Sequence, residues 1–160
     1  SLRRMERLIE DLLARARGDR ELDREPVELR AVAGDAWDGV DTADATLAIR
    51  GDATLDADVD RLTQLFENLF RNAVEHGGPA VSVAVGTVEE GFYVADNGPG
   101  IPEGERESVF EQGVTGAEDG TGYGLSIVTD IVEGHGWRIS ATESESGGAR
   151  FEIHGVAVPS

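Results

Sequence analysis

Residues 59–76 read VDRLTQLFENLFRNAVEH and place two kinds of side chain on two faces of one helix. Apolar residues recur at steps of three and four, which is typical of a helix face that packs on a core. These residues are Leu62, Leu65, Phe66, Leu69, Phe70 and Ala73. A polar stripe recurs every four residues beside that face, and it consists of Gln64, Asn68, Asn72 and His76. With Asp58 as the N-cap and Gly77-Gly78 as a stop, the pattern predicts a helix over 59–76.

The two asparagines in the middle of this helix need a binding partner. Amides are modest helix formers, and an unpaired buried polar group costs about 1–3 kcal/mol. Mg²⁺ takes oxygen ligands in an octahedron and keeps some of its waters, so amide oxygens together with phosphate oxygens suit it. The stripe therefore predicts a hydrated magnesium ion near Asn68 and Asn72. The alternative is an ordinary helix whose asparagines face solvent.

Two further signatures follow this helix in chain order. They are Asp96-Asn97-Gly98-Pro99-Gly100-Ile101 and Gly120-Thr121-Gly122-Tyr123-Gly124-Leu125. The glycines after Asp96 permit positive φ and close approach to a flat ring, while a carboxylate accepts a hydrogen bond from an exocyclic amine. The second signature precedes a predicted helix, whose N–H groups and positive end can hold phosphate oxygens. Asp96 alone could belong to a plain hairpin turn, but the three signatures together indicate a nucleotide site.

The remaining sequence predicts helices mixed with mostly antiparallel strands. Period-two patterns and turn signals predict strands at 27–29, 45–50, 53–56, 81–85, 92–95, 139–143 and 149–153. Helical patterns cover 31–40, 59–76 and a segment from Tyr123 to His135-Gly136. We therefore expect an α+β fold, a two-layer α/β sandwich.

Together with Phe110-Glu111-x-Gly113, which stands between the last two signatures, the set resembles the ATP-binding catalytic domain of sensor histidine kinases, within the GHKL ATPase superfamily. The resemblance covers nearly the whole chain and implies a Bergerat-type ATP-binding fold with ATP and Mg²⁺ as cofactors. It makes Asn72 the metal ligand and Asp96 the reader of the adenine amino group. Asn68 or the neighbouring Glu67 becomes the catalytic candidate that assists an incoming histidine.

The resemblance also implies which residues surround the nucleotide. They are Asn68, Asn72, His76, Asp96, Gly98, Gly100, Ile101, Phe110, Gly120, Thr121, Gly122, Tyr123, Gly124 and Leu125. The stretch 112–119 is short, contains glycine and has few apolar anchors, so we expect it to act as a mobile lid over the nucleotide.

Several positions depart from the family pattern. Glu75 and His76 stand where the family usually has a lysine and an aromatic residue, and Gly148-Ala149-Arg150-Phe151 replaces a Gly-Ser/Thr-Thr-Phe motif on the adenine side. Arg71 either supplies the missing phosphate-binding charge or belongs to an exposed ion-pair ladder with Glu67 and Glu75. His76 either stacks on the base or only ends the helix.

The first residues form a separate unit in this interpretation. Ser1 to Arg17 carries a heptad seam, and an isolated helix of this length is marginal in water, so it needs a partner helix. We expect residues 1–20 to end a dimerisation helix, which could pair two copies, and residues 21–160 to form the ATP-binding domain. The alternative is an N-terminal helix docked on its own domain.

The composition restricts the partners. The 160 residues include 32 Asp+Glu and 14 basic residues, all of them arginine, for a net charge of −18. Nucleic acid is therefore an unsuitable partner. Such a surface suits molar salt, where charge repulsion is screened, so we expect a halophilic source; an acidic mesophilic domain is the alternative. There is no cysteine and no run of about 20 apolar residues, so we expect a soluble, cytoplasmic domain.

The histidines of this chain do not fit a phosphoacceptor. His76, His135 and His154 are each followed by glycine, whereas the family's phosphoacceptor is followed by an acidic residue. We therefore expect a kinase fragment that binds Mg-ATP and donates the γ-phosphate to a histidine on a dimerisation helix outside this chain, with a response regulator downstream.

Two other functions stay open from the sequence. The first is a degenerate module that transmits conformation without catalysis. The second is an ATPase of the gyrase, mismatch-repair and chaperone type, which needs a glutamate base where this helix has Asn68; Glu67 lies about 100° away around the helix.

Overall fold

The computed structural model describes residues 9, 22–42, 44–78, 80–101, 104 and 125–156. In these ranges the chain forms β1 (Arg24–Glu28), α1 (Leu29–Asp38), β2 (Thr46–Ile49), β3 (Thr54–Asp58), α2 (Val59–Gly77), β4 (Ser82–Val88), β5 (Gly91–Asp96), α3 (Leu125–Gly134), β6 (Arg138–Glu143) and β7 (Ala149–His154). The predicted elements that fall within them are confirmed to within a few residues.

The first strand and helix lie earlier in the chain than predicted. Glu28 is the N-cap of α1, and Leu29, which was expected to end the strand, begins the helix and is fully buried. The strand starts at Arg24 because its five residues pair antiparallel with β3, from Arg24 opposite Asp58 to Glu28 opposite Thr54. Long-range pairing thus overrides the local pattern here.

Strand order places the end of β5 near the middle of the main sheet. The five-stranded sheet has the order β2-β4-β5-β7-β6, and β1 and β3 form a separate two-stranded sheet. All pairs in both sheets are antiparallel except β2 with β4. The predicted hairpin is β4–β5, whose turn holds Glu90 at φ 58°.

The core lies between the helices and one face of this sheet. Alternate sheet residues are buried, and on the helices the apolar stripe predicted for α2 is buried as well. Aromatic rings link the layers: Trp37 meets Phe70 edge-on at 5.1 Å, and Phe66 lies 5.2 Å from Phe92 of β5. The architecture is the predicted two-layer α+β sandwich.

His135 ties the end of α3 to the start of α2. The helix stops where Gly136 adopts φ 79°, as the glycine predicted. His135 is buried; its Nδ1 lies 2.8 Å from the carbonyl oxygen of Ile131, and its Nε2 accepts a hydrogen bond from Asp58 N at 3.1 Å. Nδ1 therefore carries the proton, and burial lowers the pKa of the ring. His135 is therefore a neutral link between the end of α3 and the start of α2.

Two predictions lie outside the described residues. They are the N-terminal heptad helix and the region from Phe110 to Gly124, which includes the lid and most of the last glycine signature. In the part of the chain that the structure describes, no helix has the length and apolar character needed to cross a bilayer.

Candidate functional site

Three backbone segments meet beside Asp96 because glycines let them approach. A Cβ on Gly98 would lie 2.6 Å from the Cα of Gly77, so the loop after β5 touches the end of α2. Gly100 has φ 80°, and a Cβ there would lie 2.7 Å from the carbonyl oxygen of Gly147 in the β6–β7 turn. Any side chain at these positions would push the segments apart. The end of α2, the loop 96–101 and the turn 144–148 therefore form one continuous wall.

Asp96 ends β5 at the centre of this wall. Its Oδ1 accepts hydrogen bonds from Gly98 N at 2.9 Å and from Ala149 N at 3.1 Å. Burial raises the pKa of the carboxyl above its ordinary value, against the lowering effect of these two N–H groups and of the nearby His76. Both bonds end on one oxygen, so Oδ2 is the atom left to accept from a ligand.

The β6–β7 turn also holds the main chain of Asp96. Ser144 donates its hydroxyl hydrogen bond to the carbonyl oxygen of Asp96 at 2.7 Å, and Ser146 reaches that oxygen at 3.3 Å. A Cβ on Gly148 would lie 2.1 Å from the same oxygen, so no larger residue fits. Side chain and backbone of Asp96 are thus held by one turn.

The asparagine stripe is the second half of the site. Asn72 is 6% exposed, and its Oδ1 is buried with no hydrogen-bond partner among the described residues. Asn68, one turn earlier, donates from Nδ2 to the carbonyl oxygen of Gln64 at 2.8 Å. An amide oxygen without a donor is a hard, neutral ligand that suits Mg²⁺. The described residues hold no cluster of three or more His, Cys, Asp or Glu that could form a metal cage.

Other predicted residues of α2 face in different directions. The Oε2 atom of Glu67 lies 2.8 Å from the position that a Cβ on Gly39 would take, at the end of α1. His76 and Glu75 are exposed at the end of α2. His76 is near enough to lower the pKa of Asp96. The structure therefore brings His76 to the Asp96 side of the site and Glu67 to the α1 side.

Ile101 and Leu125 lie on either side of residues 102–124, of which the structure describes only residue 104, and both are buried. Ile101 is 6% exposed, and Leu125 opens α3 at 2% exposed. The other predicted ligand-binding residues, Phe110, Gly120, Thr121, Gly122, Tyr123 and Gly124, lie outside the described residues.

Sequence reasoning missed Ser144 and the requirement for Gly148. The available signal was the run Ser144-Glu145-Ser146-Gly147-Gly148 between two predicted strands, which indicates a turn. It does not indicate that the turn packs on Asp96, because that contact joins residues 48 positions apart.

Known proteins are similar to this chain in sequence and in fold. The profile of the family described as histidine kinase-, DNA gyrase B-, and HSP90-like ATPase matches residues 57–156. The sensor histidine kinase ZraS of Escherichia coli O157:H7 is 39% identical over 103 residues, which cover 62% of this chain and 22% of that protein. This chain thus spans about a fifth of the length of that relative.

Solved structures agree with the sequence match. The ATP binding domain of PrrB from Mycobacterium tuberculosis is 31% identical with a TM-score of 0.64, over 86% of this chain and 99% of that one. Full-length ShkA in complex with AMPPNP is 27% identical with a TM-score of 0.74, over 96% of this chain and 36% of that one. The chain therefore belongs to the histidine kinase-, DNA gyrase B- and HSP90-like ATPase family, as the catalytic ATP-binding domain of a sensor histidine kinase.

Proposed function

We propose that this domain binds Mg-ATP between Asp96 and Asn72 and donates the γ-phosphoryl group to a histidine on a dimerisation helix. The observation that carries the proposal is that two groups keep acceptor capacity for a ligand: the Asp96 carboxylate, whose Oδ1 alone accepts from the backbone, and the buried amide oxygen of Asn72, which has no donor among the described residues. The likeness to a structure solved with AMPPNP supports a nucleotide as the ligand.

Asp96 selects the base in this proposal. Its Oδ1 is held by two backbone N–H groups, so Oδ2 accepts the hydrogen bond from the exocyclic amine of adenine. Guanine presents a carbonyl oxygen at the same place, which a carboxylate repels. The site therefore prefers ATP over GTP.

Asn72 holds the metal in this proposal. Its buried Oδ1 would supply one oxygen ligand, and the other ligands would come from phosphate and water. When bound, Mg²⁺ supplies neutralisation of the phosphate charge. No basic residue stands at the family's lysine position, since Glu75 occupies it, so Arg71 is the candidate for the missing cation.

The transfer itself needs positioning rather than covalent catalysis by this domain. A ring nitrogen of the incoming histidine bonds to the γ-phosphorus while the bond to the β–γ bridging oxygen breaks, and ADP leaves with that electron pair. Asn68 is placed on the same stripe as Asn72 to orient the incoming ring through its amide oxygen. Glu67 could accept a proton only after moving away from Gly39.

Partners and domain limits belong to the same proposal. Residues 1–20 end the dimerisation helix, which pairs two copies of the kinase, and residues 21–160 form the ATP-binding domain. The phosphorylated histidine passes its phosphoryl group to a response regulator, and the domain works in the cytoplasm, where ATP is available.

The acidic surface supports a salt-tolerant domain. With a net charge of −18 and no lysine, self-repulsion destabilises the fold at low ionic strength and is screened in molar salt, where the Debye length is about 3 Å. We expect the melting temperature to rise steadily from low to molar potassium chloride. A melting temperature that does not respond to salt would contradict a halophilic source.

The test is phosphotransfer in a kinase chain that includes the histidine-bearing helix and this domain. Incubation with γ-labelled Mg-ATP should give an acid-labile, base-stable phosphohistidine, and Asn72→Ala in the same chain should give none. If the intact chain binds Mg-ATP but forms no phosphohistidine, the non-catalytic module, which the lost lysine favours, is the correct function instead.

A further inference from the structure

Ser144 occupies the centre of the turn that faces Asp96. It is 8% exposed, and its hydroxyl makes three polar contacts: it donates to the carbonyl oxygen of Asp96 at 2.7 Å, accepts from Gly148 N at 2.8 Å and lies 3.1 Å from Ser146 Oγ. The backbone of the turn closes separately, through Ser144 N to Gly148 O at 2.8 Å and Gly147 N to Ser144 O at 3.0 Å. The hydroxyl therefore makes the shorter of the side-chain hydrogen bonds that join the turn to the end of β5, the other being that of Ser146 at 3.3 Å.

The hydrogen bond from Ser144 to Asp96 also bears on the position of Ala149. Ala149 follows the turn and opens β7, and its N–H donates to Asp96 Oδ1 at 3.1 Å. The main chain of Asp96 and the donor to its side chain are thus fixed to the same turn. A shift of the turn would move that donor relative to the carboxylate.

Ala149 contacts the Asp96 carboxylate through its backbone alone. Its side chain is a methyl group without a polar atom, so position 149 offers Asp96 only its backbone N–H. That N–H has no side-chain substitute and depends on the position of the turn. The close approach of Gly148 to Asp96 shows that the fit is tight, since a Cβ there would lie 2.1 Å from the Asp96 carbonyl oxygen.

We propose that Ser144 is a positioning residue for base selection, which holds Asp96 so that Oδ1 is saturated by backbone N–H groups and Oδ2 alone faces the purine amino group. This inference rests on the proposed role of Asp96 in reading adenine. A serine hydroxyl suits the position because it donates and accepts at once. Threonine could do the same, whereas alanine and valine could not.

The test measures Mg-ATP and Mg-GTP affinity by calorimetry for the wild type, S144A and S144T. S140A is the matched control, since Ser140 is exposed on β6. We expect S144A to weaken ATP binding about three- to tenfold, the value of one hydrogen bond, with little change for GTP. The ATP-over-GTP ratio should fall in S144A, recover in S144T and stay at the wild-type value in S140A.

A second readout does not need nucleotide. The Asp96 carboxyl is titrated by NMR in the nucleotide-free domain. If the Ala149 N–H moves away in S144A, the carboxylate loses a donor and the pKa of Asp96 should rise further, while S140A leaves it unchanged. If S144A does not fold, S144T and S144V form the replacement pair, because they differ only in the hydroxyl.

The outcomes separate the two proposals. If the wild type binds no nucleotide, the proposed function fails, and the NMR titration still tests Ser144. If the wild type prefers ATP but S144A keeps the same ratio and the same Asp96 titration, the positioning role is wrong. Equal losses of ATP and GTP affinity would also overturn it, because they indicate a purely structural role.

Discussion

The two halves of the site are built in opposite ways. Around Asp96 the protein supplies its own partners: two backbone N–H groups reach one carboxylate oxygen, and Ser144 holds the main chain. On α2, Asn72 presents a buried amide oxygen that none of the described residues satisfies. In the proposed function, the Asp96 side is therefore positioned by the protein before ligand arrives, whereas the Asn72 side would be completed by the ligand.

This contrast assigns different energetic roles to the two halves. A rigidly held acceptor such as Asp96 Oδ2 would discriminate between bases, because a wrong base leaves that oxygen without its hydrogen bond. An unsatisfied buried oxygen costs stability in the free protein and regains it when a cation binds. If the proposed roles hold, the unsatisfied oxygen of Asn72 favours ligand binding and the rigid placement of Asp96 favours selectivity between bases.

The largest expected effect comes from removing the unsatisfied oxygen. Asn72→Leu takes away the metal ligand, and we expect magnesium-dependent ATP affinity to fall by about 100-fold or more. The same change removes an unpaired buried polar atom, so the free domain should gain about 1 kcal/mol of unfolding free energy. Calorimetry and urea denaturation measure the two quantities. A variant that binds Mg-ATP normally, or is destabilised, would remove the contrast between the two halves.

Asp96→Asn tests the base side through its chemistry. The amide keeps an oxygen for the N–H groups of Gly98 and Ala149 and turns an NH₂ donor toward the base. We expect ATP affinity to fall and the preference to shift about tenfold or more toward GTP, whose carbonyl oxygen accepts from that donor. Competition with fluorescent nucleotides measures the ratio. An unchanged ATP preference would show that another group reads the base.

The same variant has a pH signature. Burial raises the pKa of Asp96, so its ionisation opposes folding: the stability contribution is full below the ordinary aspartate pKa and is lost as pH rises through the raised value. Asp96→Asn has no ionisable group at this position, so it does not lose this stability as the pH rises. The variant should therefore be more stable than the wild type at neutral pH, with the difference disappearing in acid. A stability difference between variant and wild type that grows as the pH falls would contradict a raised pKa of Asp96.

Gly148→Ala tests how tightly the turn is fitted to Asp96. The new Cβ would lie 2.1 Å from a backbone oxygen, and overpacking of this kind costs about 1–3 kcal/mol. We expect that loss in unfolding free energy, together with weaker ATP binding. Gly34→Ala in α1 is the control, since nothing lies within 4 Å of a Cβ there and helical glycine-to-alanine changes stabilise by about 0.5–1 kcal/mol. Equal stability of the two variants would mean that the turn is loose.

The smallest effect concerns His135, which lies outside both halves. Burial lowers its pKa, so its stability contribution is full above the ordinary histidine pKa and is lost as pH falls toward the lowered value. Protonation places a second N–H against Asp58 N and removes one hydrogen bond, worth about 0.5–1.5 kcal/mol. Unfolding free energies between pH 7 and pH 5 should decline in the wild type and in His154→Gln, and decline less in His135→Gln. Parallel profiles would contradict a neutral His135.

Local patterns were sufficient for much of this fold and for half of the site. The period of the α2 segment and its glycine stop predicted the helix and placed the amides in one stripe, because helix geometry relates residues three and four apart. Asp96 could be identified from the sequence for the same reason, since a strand followed by glycines is a short-range pattern.

The remainder depends on contacts between distant residues. Ser144 reaches Asp96 across 48 positions, and Asp58 N meets His135 across 77. No local pattern encodes either contact, so the run 144–148 indicated only a turn, and His135 was placed only at the end of a helix. The direction of Glu67 toward Gly39 likewise follows from the packing of α1 on α2.

The most direct measurement is a calorimetric titration of the domain with Mg-ATP and Mg-GTP in molar potassium chloride, repeated with EDTA. We predict that ATP binds, that EDTA greatly weakens the binding and that GTP does not compete. Equal binding of both nucleotides would contradict the role of Asp96, ATP binding that ignores EDTA would contradict the role of Asn72, and no binding to folded protein would contradict the nucleotide site itself.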